Sequence, residues 1–401
     1  MNRTLLYFIG AILVGDGLMN FLVPLVVYGL TGSLGYAGLA YLVSWLPRLV
    51  LMPLVGGAID RWGVRPLSIT ADLIKCAACL GVLALIQGQA PGLVLTVGAG
   101  LLGSLISIGN AQTLLSCEKI IAARPQHLDR DANRLSRLDQ GGMVLGPLLG
   151  MMLFTTGYTL LLALAASLYL ANALFFLFYT GLPDTADKRL AGQPPAGHWR
   201  AALLIFMGSP LLWLMTLLAV GNNAFDGTIE ASGAALVDRL MALPIQYYGL
   251  IDLCAGVCGV AATLLYARLI GRLGRHGLFA ASLALALAAS ALLVAVMEAL
   301  WAFLACYALG IAAKVMMGNY MRVMRISLIP QAHLASVSAM ISLVNQSILP
   351  VVGLLIYWFD RQGWSIAGLL VASILLSALA GWRVLAQGRQ VAPASGAAAT
   401  G

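Results

Sequence analysis

Apolar runs of about twenty residues recur along the whole chain, and most of the charged residues fall in the breaks between them. About twenty helical residues cross the hydrocarbon core of a bilayer, so each run is long enough to span it. The shorter apolar stripes and polar faces of a soluble amphipathic helix are missing. The pattern predicts twelve spans, at about 5–30, 36–57, 67–88, 92–115, 139–158, 160–181, 211–236, 244–268, 278–297, 300–319, 335–358 and 364–386. The stretch "HWRAALLIFMGS", 198–209, reads as an interfacial or leading turn of the seventh helix. The expected fold class is an all-α membrane protein of twelve transmembrane helices in two six-helix bundles.

Composition and charge sharpen this picture. Hydrophobic residues make up 61% of the chain and charged residues only 9%, against about 25% charged in a soluble domain. If the N-terminus is cytoplasmic, 18 of the 23 Lys and Arg residues fall in inner segments, as the positive-inside rule requires. Only Arg239 and Arg361 fall outside, while Arg48, Lys75 and Lys314 lie within spans. This asymmetry places both termini in the cytoplasm and accounts for the net charge of +8, so no nucleic-acid partner is implied. The six cysteines fall in or beside spans, and the outer loops hold none, so no disulfide framework is expected. The first apolar run is too long for a signal-peptide core and is expected to stay as the first helix. The tail "QGRQVAPASGAAATG" is small and polar, the composition of a disordered segment.

The chain divides in the middle. Residues 183–200, "PDTADKRLAGQPPAGHWR", form a polar linker between an N-terminal bundle, 1–182, and a C-terminal bundle, 201–386, followed by a tail, 387–401. The halves echo each other weakly. "GPLLG" at 146–150 resembles "LPVVG" at 349–353, "GDGLMNF" at 15–21 resembles "GNNAFDG" at 221–227, and "DRWGVR" at 60–65 resembles "GRLGRHG" at 271–277. Internal repeats of this kind underlie alternating access, in which one half rocks against the other around a midplane site.

Two motifs carry a family likeness. "GGAIDRWGVRPL", 56–67, resembles the loop signature of the major facilitator superfamily, with Gly56, Asp60, Arg61, Gly63 and Arg65 matching and Val64 departing from a frequent basic residue. The resemblance implies a cytoplasmic gate in which the Asp and Arg lock helices together in the outward-open state. "GMVLGPLLG", 142–150, is similar to that family's antiporter motif through Gly142, Gly146, Pro147 and Gly150, and implies export. Glycines at i, i+4 and i+8 make a smooth stripe for close helix packing, and Pro147 kinks the helix. A basic loop just before it, "DANRLSRLDQ", is similar to drug and siderophore effluxers, lysophospholipid transporters and, more faintly, ferroportin-like metal exporters.

Ionisable groups inside spans are costly and mark functional candidates. They are Asp16, Arg48, Asp72, Lys75, Asp226, Glu230, Asp252 and Lys314. Asp16 and Arg48 sit at similar depth on adjacent antiparallel helices and are expected to pair, with Asn20 on the face of Asp16. Asp72 and Lys75 are expected to pair locally, three residues apart. Asn222, Asp226 and Glu230 form one polar stripe on the seventh helix, with Asn223 beside it. Two carboxylates a turn apart in low dielectric do not both ionise easily and titrate as a unit. That suits proton coupling through Asp226 and Glu230, with Asp16 as the N-half counterpart. Asn20, Arg48, Asn222, Asn223, Asp252 and Lys314 are candidates for binding substrate. Lys314 either neutralises an acid or binds an anion.

The expected function is a proton-coupled exporter of a small amphiphilic molecule in the inner membrane. No cofactor is expected, since no nucleotide loop, nucleophile elbow or metal-spaced Cys/His cluster is present. The family resemblance implies a monomer. Three other readings stay open: a ferroportin-like divalent-metal exporter, a lysophospholipid-type transporter, and a membrane sensor or assembly partner that moves nothing. Among organic substrates, the acid-rich C-half favours cations or zwitterions.

Overall fold

The computed structural model describes residues 3–122, 128–181, 203–329 and 334–391, and these residues are helical nearly throughout, with no strand among them. The long helices are α1 (Arg3–Thr31), α2 (Leu34–Trp62), α3 (Val64–Gln87), α4 (Gly92–Ala122), α5 (Leu128–Leu153) and α6 (Tyr158–Phe178). They continue with α7 (Pro210–Ala235), then a run Gly249–Ala295 that Gly274 breaks into α8 (249–273) and α9 (275–295). α10 (Leu300–Leu328), α11 (Leu334–Gln362) and α12 (Ala367–Val391) complete them. The central linker and the last ten residues lie outside the described residues.

Among the described residues, ten segments are long and apolar enough to cross a membrane. α5 and α7, expected as spans 139–158 and 211–236, form helices but fall short of that measure. The first half of α5 is charged, and α7 carries its amides and carboxylates at mid-length. Large apolar side chains face outward around the bundle, among them Phe178 and Trp301, each 75% exposed, and Trp382, 70% exposed. An apolar exterior of that extent fits lipid as the surrounding medium. The chain is a multi-pass membrane protein.

One boundary differs markedly from the expectation. The basic stretch before residue 139 was expected as a loop, but α5 begins at Leu128. Leu135 is buried, and Leu138 packs over Gly10 of α1. The stretch is amphipathic, and its apolar side extends the helix by about three turns.

Glycine sets how closely the helices approach. A Cβ on Gly142 would stand 2.6 Å from the Leu13 backbone, and one on Gly146 would strike the backbone of Gly17 and Leu18. The glycine stripe of α5 is therefore a backbone-to-backbone seam with α1. A second seam joins the halves: a Cβ on Gly38 of α2 would stand 2.7 Å from the Gly353 carbonyl of α11.

The weak sequence repeat has a backbone counterpart. Gly63, between α2 and α3, has φ 82° and ψ 170°; Gly274, between α8 and α9, has φ 68° and ψ 168°. Both lie where only glycine is unstrained, and they are the matching glycines of "DRWGVR" and "GRLGRHG". Pro147 and Pro350, matched in the other repeat, both sit inside their helices.

The molecule is sealed at the face opposite the start of α1, here called the far face. Asp360 Oδ2 at the end of α11 accepts from the Gly35 N–H at 2.8 Å and from Ser33 Oγ at 3.3 Å. These groups form the N-terminus of α2, where a carboxylate also meets the positive end of the helix dipole. Arg239 approaches Asp360 at 3.7 Å and donates to the Gly32 carbonyl, and Tyr28 OH donates to Asp238 at 2.8 Å. Beneath this polar latch lies an apolar cluster drawn from α1, α2, α7 to α10, α12 and the α7–α8 connection, with Phe21, Tyr28, Phe225 and Tyr248 among its members.

Two outcomes are expected. Gly146→Val forces a side chain into the α1 backbone; overpacking costs about 1–3 kcal/mol and should lower the melting temperature of the purified protein, while Met143→Val on the exposed side of α5 leaves it near wild type. Asp360→Ala removes the latch acceptor and should lengthen spin-label distances between the far ends of α2 and α11; an unchanged distribution means the seal does not depend on it.

Candidate functional site

Opposite the far-face seal, the bundle is open. A cavity of about 550 Å³ is bounded by α7, α10 and α11, with Gln140 of α5 and Thr263 of α8 across from them. It shares Gln140, Thr263 and Val315 with a wider recess of about 910 Å³ between α5 and α8.

Asn222, Asn223, Asp226 and Lys314 all line the first cavity. Lys314 Nζ bonds Asp226 Oδ1 at 2.6 Å, and the two side chains are 11% and 30% exposed. Lys314 thus neutralises an acid, Asp226, while it also lines the cavity. Lys314 also lies 4.3 Å over the Phe225 ring. Asn222 accepts from Ser377 Oγ at 3.2 Å, and Asn223 donates to the Asn345 carbonyl at 3.0 Å. The polar stripe of α7 thus faces a cavity, because its amides and carboxylate are satisfied there and not against lipid.

Glu230, one turn further along α7, opens onto a different space. This small cavity of about 60 Å³ lies among α1, α2, α4 and α7, and Asn20, Ser44 and Ser107 line it with Glu230. Tyr41 OH donates to Glu230 Oε2 at 2.9 Å. Arg48 lies within electrostatic reach of Glu230, stacks 4.7 Å from the Trp45 ring centre and donates to Ser107 Oγ. Asp252 of α8 is half-buried and has Glu230 as its charged neighbour. Tyr307 of α10 is buried within range of Asp226, Glu230 and Asp252 together. Asp226 therefore lines the large cavity and Glu230 the small one, and no residue lines both.

The expected Asp16–Arg48 pair does not form. Asp16 is fully buried; its Oδ1 takes Lys75 Nζ at 3.2 Å and Tyr169 OH at 2.9 Å. Lys75 also bonds Asp72 at 3.1 Å, as its spacing led one to expect, and Asn172 Nδ2 donates to Asp72 at 2.5 Å. Depth alone suggested Arg48, but Asp16 points from α1 toward α3 and α6, away from α2. Asn20, four residues and about 40° further round the helix, reaches the Glu230 cavity while Asp16 does not.

The span-five residues Gly142, Gly146 and Gly150 all pack on α1, Gly150 against Phe21 and Leu18. In the loop signature, Gly63 makes the turn and Arg65 donates to the Tyr179 carbonyl. The side chains of Asp60 and Arg61, and the surroundings of Gly56, lie outside the described residues. Among the described residues no group of three or more His, Cys, Asp or Glu side chains gathers at one point. Reasoning from sequence missed Tyr41, Tyr169, Asn172 and Tyr307. It also missed Arg322 and Arg325 as cavity residues, although with Lys314 and Gly318 they follow i, i+4, i+8 and i+11 spacing along one helix face.

The Asp16–Asp72–Lys75 cluster generates a prediction. Lys75→Met leaves two buried carboxylates uncompensated, a loss of about 3–5 kcal/mol for a broken buried pair. The triple change Asp16→Asn, Asp72→Asn, Lys75→Gln removes the charge altogether and should recover much of the melting temperature. A triple variant no more stable than the single one would mean that the charges do not act as a unit.

The sequence profile of the Major Facilitator Superfamily matches residues 4–354. No curated protein matches the chain. Among solved structures, it is similar to a bacterial homologue of the iron transporter ferroportin in an inward-facing state, with TM-score 0.72 and 19% identity over 96% of this chain and 99% of that one. The outward-facing form of a bacterial ferroportin homologue gives TM-score 0.62 at 20% identity, over 97% of this chain and 100% of that one. A mutant of the nucleoside transporter NupG gives TM-score 0.75 at 14% identity, over 96% of this chain and 99% of that one. At these identities the likeness concerns the fold, and the profile match decides the family: the chain belongs to the Major Facilitator Superfamily.

Proposed function

We propose that the protein is a secondary transporter of the inner membrane that exports a small organic molecule in exchange for protons. The observation that carries this reading is the α7 stripe, which places Asp226 on the large open cavity and Glu230 on the small one. The cavity's volume matches that of a small-molecule site, about 300–1,000 Å³. Its opening on the face where α1 begins corresponds to the cytoplasmic side if the Lys and Arg asymmetry sets orientation. The state described is then inward-open.

Glu230 is the proton carrier in this reading. Once it gives up a proton, Tyr41 and Arg48 hold its charge, and both belong to α2, the helix that meets α11 at the Gly38–Gly353 seam. Proton binding cancels that attraction across the α2–α7 contact, so the protonation state biases a two-state element. Solute meets Asn222, Asn223 and the Asp226–Lys314 pair on the other side of the same helix. Asp16, expected to share in coupling, instead fixes α1 against α3 and α6 through Lys75 and Tyr169. Closure of the cytoplasmic side is assigned to the loop signature around Asp60 and Arg61, and the α1–α5 glycine seam keeps that pair moving together. Family membership favours a carrier over an enzyme.

Proteoliposomes holding a pH dye, with an imposed proton gradient, test the reading. A panel of organic anions, organic cations, siderophores, lysophospholipids and divalent metals is added in turn. One organic class should trigger proton flux, and Glu230→Gln should reduce it by about a hundredfold or more, the scale of losing a placed proton-transfer group. Undiminished flux in the Asp226→Asn/Glu230→Gln variant ends the coupling claim, and flux triggered only by divalent metals replaces the cargo with a metal.

A further inference from the structure

We infer that the cargo of the open cavity is an organic anion, a proposal that rests on the transporter reading above and names its substrate class. The acid-rich C-half had favoured cations or zwitterions. The charges that line the cavity reverse that preference, because Glu230 lines the small cavity and not this one.

Lys314, Arg322 and Arg325 lie on one face of α10 and all line the cavity. Among its described lining residues Asp226 is the lone carboxylate, and Lys314 already holds it at 2.6 Å. Arg322 and Arg325 stand within electrostatic reach of each other. Neither makes an ion pair or side-chain hydrogen bond among the described residues. Two guanidinium groups with no carboxylate partner among the described residues, set beside a low-dielectric wall, repel each other and concentrate anions between them. The positive-inside tendency accounts for cations at this end of the helix. It does not account for their alignment with Lys314 on the cavity side.

The geometry outlines the ligand. A carboxylate suits the paired guanidinium donors, which offer bidentate hydrogen bonds. Lys314 lies about 12 to 16 Å deeper along α10, at about 1.5 Å per residue. Asn222 stands at that depth, and its side-chain oxygen is occupied by Ser377, leaving the amide nitrogen to donate. The structure therefore suits an elongated molecule with an acidic head at the arginines and a polar or second acidic end near Lys314. An inside-negative membrane potential assists the exit of such an anion.

The test reads the cavity's potential directly, without any gradient or flux, so it stands or falls apart from proton exchange. Asn319, on the cavity wall, is changed to cysteine in protein held in neutral-lipid nanodiscs at low salt, and Gln140→Cys serves as a second reporter on the opposite wall. Labelling by a sulfonate-bearing and a trimethylammonium-bearing methanethiosulfonate is compared, with the parent protein subtracting its native cysteines. Relative to a free thiol, the anionic reagent should be favoured by about tenfold or more, the low end of electrostatic focusing in a charged cleft. Citrate should slow labelling, and Arg322→Gln/Arg325→Gln should abolish the preference without changing the melting temperature. Preference for the cationic reagent, a preference that survives the double change, or labelling at neither reporter overturns the proposal.

Discussion

A charge carried into a bundle of apolar helices has to meet an opposite charge or water, and the internal arrangement of this protein follows from that constraint. Lys75 draws Asp16 and Asp72 together and so ties α1 to α3, while Tyr169 and Asn172 add α6. Asp226 and Lys314 satisfy each other at the edge of a cavity. Glu230 reaches across to Tyr41 of α2 and opens onto a second, smaller space. The charges with partners on neighbouring helices hold the bundle together; those beside open space define the site.

Close approach is the other requirement, and it rests on glycine. The α1–α5 seam works as a hinge plate within one half, since no side chain intervenes between the two backbones. The α2–α11 seam does the same between halves, near the Asp360 latch. Rigid seams and a polar latch together suit a bistable assembly, because packed interfaces switch between arrangements more readily than they deform.

Much of this was legible in the sequence, and the failures have physical causes. Ten of the expected spans and the α7 stripe were readable because a bilayer imposes length and helical period imposes sidedness. Repeat glycines were readable where a positive φ demanded them, as at Gly63 and Gly274. The partner of Asp16 was not, because matching depths says nothing about the direction in which a side chain leaves its helix. Nor was the placement of Asp226 and Glu230 on different cavities: a stripe drifts about 40° with every four residues, and only the packing of α2 and α4 decides which residues line the small one. Arg322 and Arg325 were read as markers of topology, although their spacing from Lys314 already put all three on one face. The charged opening of α5 passed for a loop because Leu135 and Leu138 are outnumbered there.

The placement of Asp226 and Glu230 on two differently lined cavities has an evolutionary consequence under the proposed function. Cargo selection sits mainly on α10, at Lys314, Arg322 and Arg325, while the groups that meet Glu230 sit on α2 and α4. Substitutions on one side leave the first neighbours of the other untouched. Such a division lets a lineage exchange one solute for another by altering a few residues on a single helix while inheriting its energy source intact.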